Sequence, residues 1–165
     1  MTTHHHPTDA SVAPFVPATY PHEVTWSLPH HPRSAGHARA QLREHTHIWH
    51  VGDEVTTTAQ LLLSELVTNA CRHARPLPHG RVTVRCALSP TGTLRVEVTD
   101  GYPVELARPR HPSPTDISGR GLALVASLAN AWGSQLLPDT TGKIVWFELA
   151  APPGPPPARQ DARKP

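Results

Sequence analysis

No run of about 18 apolar residues occurs in this 165-residue chain, and Met1 is followed by Thr2, Thr3 and three histidines rather than by an apolar segment. A membrane-spanning helix and an export signal are therefore not indicated, and a cytoplasmic protein is expected. Cysteine is scarce. Cys71 and Cys86 are too few for a disulfide framework and suit reduced, buried small side chains. Charge of one sign is also missing in bulk, with 15 Lys and Arg against 13 Asp and Glu. The basic residues are scattered, so the concentrated footprint of a nucleic-acid binder is absent and no direct contact with nucleic acid or membrane is expected. The 13 histidines lack Cys or carboxylate partners at ligand spacing, which argues against a dedicated zinc site.

Proline, in contrast, is abundant. Of 20 prolines, six precede Arg33 and six fall from Pro152 onward. Residues 1–20 and 151–165 combine Pro with small and polar side chains and too little apolar content to offset ordering entropy, so both read as disordered tails. Pro152 to Pro157 suits polyproline II. Between the tails, residues 21–150 have the length of one domain.

Within that domain Glu23 to Leu28 alternates as a short strand closed by Pro29 and Pro32. A helix follows, with Ser34 as candidate N-cap and Ala38, Leu42, His45 and Trp49 as its stripe. Val51-Gly52-Asp53 reads as a turn in which Gly52 ends that helix and Asp53 caps the next. The second helix carries the main signal. No Gly or Pro interrupts Asp53 to Arg75, and Ala59, Leu62, Leu63, Leu66, Val67 and Ala70 recur at helical spacing. At about 100° per residue, Glu65 and Asn69 lie roughly 90 to 130° from the centre of that apolar stripe, and His73 swings back toward its edge. An acid and an amide bordering the core on a rigid element suit either a solvated face or a cleft that holds a cation and its anionic ligand.

Arg75 to Gly80, with Pro76 and Pro78, stops the helix. Arg81 to Leu88 and Thr93 to Thr99 alternate as two strands joined by Ser89-Pro90-Thr91-Gly92. The second ends at Asp100-Gly101, which is either a turn former or a hydrogen-bond acceptor for a ligand. Tyr102 to Ser118 has no periodicity and four prolines; aperiodic loops longer than about 12 to 15 residues are usually lids or binding loops. It leads into Ser118-Gly119-Arg120-Gly121-Leu122, a Gly-rich turn feeding an apolar segment, Leu122 to Ala131, that reads as a buried helix. Free N–H groups and a positive helix end make such a turn an anion site. After Trp132-Gly133-Ser134, a short strand covers Gln135 to Leu137, and Gly142 opens the last strand, packed by Ile144, Trp146, Phe147 and Leu149. Trp26, Trp132 and Trp146 read as core.

In this order the pieces resemble the Bergerat-fold ATP-binding domain of gyrase, the Hsp90 chaperones, sensor histidine kinases and the MutL family, the GHKL superfamily. The likeness covers about Glu23 to Leu149, and the segment Glu65-Leu-Val-Thr-Asn69-Ala carries it most specifically. Among its members the chain is most similar to the small anti-sigma-factor serine/threonine kinases. The resemblance implies an α+β two-layer sandwich, a mixed, mostly antiparallel sheet with helices on one face, that binds ATP and Mg²⁺. By the same resemblance Asn69 holds Mg²⁺, Glu65 is the general base, and Asp100 with Gly101 receives the adenine amino group. Gly119, Arg120, Gly121 and Leu122 lie at the phosphates, and His73 borders the phosphate end. The implied partners are proteins, a sigma factor or its antagonist, and a homodimer is compatible with it. Two departures stand out. Gly101 directly follows Asp100, where many relatives have Asp-x-Gly, and the last glycine motif is reduced to Thr141-Gly142-Lys143. A non-catalytic ATP-sensing switch is the alternative reading. There is no helix bearing a phosphoacceptor His, which excludes a complete sensor histidine kinase.

Overall fold

A computed structural model describes residues 20–73, 80–101, 120–138 and 142–152. Residues 1–19 and 153–165 of the tails, the helix stop at 75–79, the loop 102–118, Gly119 and Thr141 lie outside the described residues, whereas Ala151 is buried against the core and its N–H donates to Gly92 O at 2.7 Å. Among the described residues, five strands and three helices follow in the order β1 (His22–Pro29), α1 (Ser34–Ile48), α2 (Asp53–His73), β2 (Arg81–Leu88), β3 (Thr93–Asp100), α3 (Arg120–Leu128), β4 (Ala131–Leu136) and β5 (Lys143–Ala150). The sheet order is β1-β2-β3-β5-β4, and every pairing is antiparallel. The architecture is thus the expected α+β sandwich, with a sheet fully antiparallel in its pairings rather than mixed. β3 and β4 do point the same way, but β5 inserts between them and pairs with both.

The apolar stripe of α2 accounts for the core. Ala59, Leu62, Leu63, Leu66, Val67 and Ala70 are all buried against Val82, Val84, Cys86, Val96, Val98 and Phe147 of the sheet. Removing that much apolar surface from water is the main force holding α2 on the sheet. α1 adds Ala38 and Leu42, both buried, and closes onto β1 through a row of rings. His22 stacks on Trp49 at 5.7 Å, Trp49 meets His45 at 5.7 Å, and His45 stacks on Trp26 at 5.8 Å.

Both helix boundaries expected from glycine and serine shift. Ser34 is not a cap: it is fully buried in the first turn of α1, and its hydroxyl donates to Pro29 O at 2.6 Å, tying the helix to the end of β1. Two residues past the end of α1, His50 has a φ of 56° and takes the closing position foreseen for Gly52. His50 N–H donates to His47 O and Val51 N–H to Thr46 O, the paired bonds of a Schellman motif. Gly52 instead offers its carbonyl to Thr56 N–H at the start of α2, and Asp53 and Glu54 lie in that positive first turn.

Strand alternation corrects the reading of β5. Phe147 and Leu149 face the helices, so Ile144 and Trp146 must face away. Trp146 belongs to a charged layer on the open face of the sheet. Arg95 lies 4.0 Å above its ring and bonds Glu97 and Glu148, while Arg85 bonds Glu23 at 2.8 Å and lies 3.3 Å from Glu97. The hydrogen bond from Arg85 is the main reason that the Glu23 carboxyl is held below its usual range. Burial pulls the Arg95 guanidinium down, but its bonds to Glu97 and Glu148 outweigh that and leave it above its usual value. β4 begins four residues earlier than expected because Gly133 pairs with Trp146. A Cβ there would stand 2.9 Å from the indole. α3 is shorter than expected and only half buried: Gly121 and Val125 point inward, while Ala123, Ala126, Ser127 and Leu128 are exposed.

Candidate nucleotide site

Three of the expected residues meet at one point. Glu65 and Asn69 lie one turn apart on α2, both half-buried at the edge of its apolar stripe. The first turn of α3 crosses them. A methyl group on Gly121 would sit 2.6 Å from Glu65 Oε2 and 3.4 Å from Asn69 Nδ2. A side chain there could be admitted only by pushing the Glu65 carboxylate aside, so the glycine lets the N-terminal turn of α3 lie over the two polar groups without disturbing them. Leu122, the next residue, is half-buried against the core. The helix end that can receive an anion is therefore placed beside an amide and a carboxylate, the hard oxygen donors a Mg²⁺ ion takes. Arg120 and His73 are located as the first residue of α3 and the last of α2; their side chains lie outside the described atoms, as does Gly119.

Asp100 forms a second focus. It is the last residue of β3, on the helix-facing side of the strand, and 1% exposed. Neither Oδ1 nor Oδ2 has a hydrogen-bond partner among the described residues. A buried carboxylate without donors is costly, so this one is an acceptor open to a donor beyond the described residues. The sequence left open whether Asp100 forms a turn or receives a ligand. Its place at the end of the strand, with the side chain buried, leaves it a candidate acceptor. Gly101 is exposed beside it, and Gly142 packs so closely that a Cβ would meet Asp100 O at 2.7 Å. The shortened final motif thus keeps the one glycine that this contact needs.

Three neighbours of Asp100 were not foreseen as parts of the site. His30, just after β1, places Nε2 3.5 Å from Asp100 Oδ1 with its side chain 5% exposed. Lys143 is the direct cross-strand neighbour of Asp100 and is buried. Cys71 on α2 is half-buried and donates to His31 O at 3.6 Å. Burial raises its thiol pKa, and the negative charge of Asp100 adds to the rise. A buried lysine in a strand of otherwise apolar inward residues was the signal available for Lys143. For His30 there was none, because loop His30-His31-Pro32 meets Asp100 only through the β1–β2 pairing.

Residues 28–149 match the histidine kinase-like ATPase domain family. The chain belongs to that family. ATP is the ligand such a domain implies. Among solved structures, the chain is similar to the RsbU and RsbW domains of Rv1364c from Mycobacterium tuberculosis, at 21% identity with a TM-score of 0.60. That match covers 78% of this chain and 32% of the other. It is also similar to the histidine kinase domain of a blue-light activated histidine kinase from Erythrobacter litoralis, at 23% identity and a TM-score of 0.46 over 75% of this chain and 62% of that one. The chain therefore spans about a third of the length of the first structure. No curated protein matches it in sequence at a significant level. None of the described helices is long and apolar enough to cross a membrane.

Proposed function

We propose that this protein is a Mg·ATP-dependent regulatory serine/threonine protein kinase of the anti-sigma type, which binds a sigma factor and phosphorylates a protein antagonist. One observation carries the proposal: Glu65 stands beside Asn69 directly under Gly121 at the start of α3. A carboxylate next to the phosphate end of a nucleotide is in place to accept the proton of a seryl or threonyl hydroxyl as the γ-phosphoryl group moves to it. Asn69 would hold Mg²⁺ through its amide oxygen, and the ion would neutralise phosphate charge. Asp100 would orient the base, and the N–H groups of the first turn of α3 would face the phosphates. The fold shared with an RsbW domain and the intact Glu65 to Asn69 segment support the anti-sigma assignment.

Incubation with γ-labelled ATP and the partner that co-purifies with the protein tests this reading. Label should appear on a Ser or Thr of the partner with the wild type, and Glu65→Gln should bind ATP yet transfer none. Transfer by Glu65→Gln at the wild-type rate would remove the base assignment. The second reading is an ATP-sensing switch that captures its partner without phosphoryl transfer. The buried Lys143 in the reduced last motif and Gly101 directly after Asp100 favour it. Under that reading the partner stays unlabelled, while its retention still depends on ATP.

A further inference from the structure

We infer that the outer edge of β4 pairs antiparallel with the same strand of a second copy of this chain, joining two sheets into one. The inference is independent of the nucleotide reading. A strand at the rim of a sheet leaves half of its backbone N–H and C=O groups open, and proteins close such rims with charge, proline or a covering side chain. Here the sheet order leaves two rims, β1 and β4. β1 is closed. His30 N–H donates to Gly80 O, so by the alternation of an antiparallel pair Glu23, Thr25, Ser27 and Pro29 turn their backbone groups away from β2. Of these, Pro29 has no N–H to offer, Glu23 is charged, and the guanidinium of Arg81 donates to Ser27 O at 2.9 Å.

β4 carries none of these devices. Leu137 N–H donates to Gly142 O, so Gln135 and Gly133 face β5 in the same way and the N–H and C=O groups of Trp132, Ser134 and Leu136 point outward. Residues Ala131–Leu136 include no charge and no proline, and no described strand lies beyond them. The side chains of the same three residues face the helix layer, as do their cross-strand neighbours Phe147, Val145 and Lys143. Trp132 is half-buried against the core, while Leu136 stays 52% exposed. This edge is complementary to itself. A twofold axis at Ser134 sets the two Ser134 residues opposite each other and Leu136 of each copy opposite Trp132 of the other. Each exposed leucine then gains an aromatic neighbour, no like charges meet, and the open backbone groups find partners. One strand pair is a small interface, under about 1,200 Å², so the dimer is reversible and depends on concentration.

Sedimentation equilibrium of the full chain tests this. The wild type should pass from monomer to dimer as concentration rises. Ser134→Lys, which sets two like charges opposite each other at an exposed position, should weaken the dimer about fivefold while its circular dichroism stays native, and an equimolar mixture of Ser134→Lys and Ser134→Asp should recover it. Mild oxidation should link Ser134→Cys into a disulfide dimer, because directly paired Cα atoms lie about 5.5 Å apart. Gln135→Cys, offset from its own copy by two residues, should not link, and the wild type controls for Cys71 and Cys86. A wild type that stays monomeric at every concentration would overturn the inference, as would a Ser134→Lys dimer of wild-type strength. Equal linking of both cysteine variants would place the interface elsewhere and also overturn it. If the wild type is monomeric and Ser134→Lys loses a co-purifying protein, the edge takes a strand of that partner and the second copy is excluded.

Discussion

At the scale of single residues the site is defined by what each side chain can do and by what Gly121 cannot obstruct. Asn69→Ala removes the amide oxygen and should abolish Mg²⁺-dependent ATP binding, measurable by calorimetry with and without the ion. Gly121→Ala makes a subtler prediction. Its new methyl would meet Glu65 Oε2 at 2.6 Å, and that atom is the mobile end of a long side chain, so the fold can absorb the change by displacing it. Stability should hold or rise by up to about 1 kcal/mol, as Ala replaces Gly in a helix, while phosphoryl transfer should fall toward the Glu65→Gln level. Equal loss of stability and transfer would mean that α3 itself had moved. Spacing put the glutamate and asparagine on one face, because i and i+4 on a helix lie together, while their role came from the resemblance and not from the spacing. Their cover was not: Gly121 is 52 residues beyond Asn69, and only the docking of α3 on α2 brings it there.

At the scale of elements, α2 formed as its pattern dictates because propensity, period and burial agree along its whole length. β5 did not follow the reading, since four apolar residues in six positions cannot share one face of a strand. The charged layer decided which two turned outward. Gly133 on β4 and Trp146 on β5 are locked together there, the indole lying within 2.9 Å of a Cβ at Gly133 and under the guanidinium of Arg95. Gly133→Ala should cost about 1 to 3 kcal/mol in urea unfolding, the usual range for an overpacked contact. In a Trp146→Ala background the same substitution should cost far less, which a double-mutant cycle would show. Equal penalties in both backgrounds would place the strain in the backbone of β4 and not in the ring.

At the scale of the whole molecule, burial couples folding to pH and to ligand. The Cys86 thiol, deep between sheet and α2, is pushed up to about 12 by burial. Its proton is held in the folded state and released from about pH 9 in the unfolded chain. The associated stability is thus complete below pH 9 and is lost as pH rises toward 12, at up to about 1.4 kcal/mol per unit. Urea unfolding of the wild type and Cys86→Val between pH 8 and 11 should show the steeper decline in the wild type. Identical slopes would mean that the thiol ionises in the native core. Mg·ATP at 100 times its dissociation constant should add about 2.7 kcal/mol to the stability, visible as a raised melting temperature that Asn69→Ala lacks. By itself the sequence determined what depends on neighbours along the chain: the helix that carries Glu65 and Asn69, the strand ending in Asp100, and the scarcity of charge or apolar runs that would point to nucleic acid or membrane. Tertiary structure alone decided what depends on distant segments meeting: Gly121 over Glu65, His30 against Asp100, and Trp146 on the outer face. Periodicity carries the first kind of information, whereas the second comes from strand register and helix docking, which no local pattern encodes.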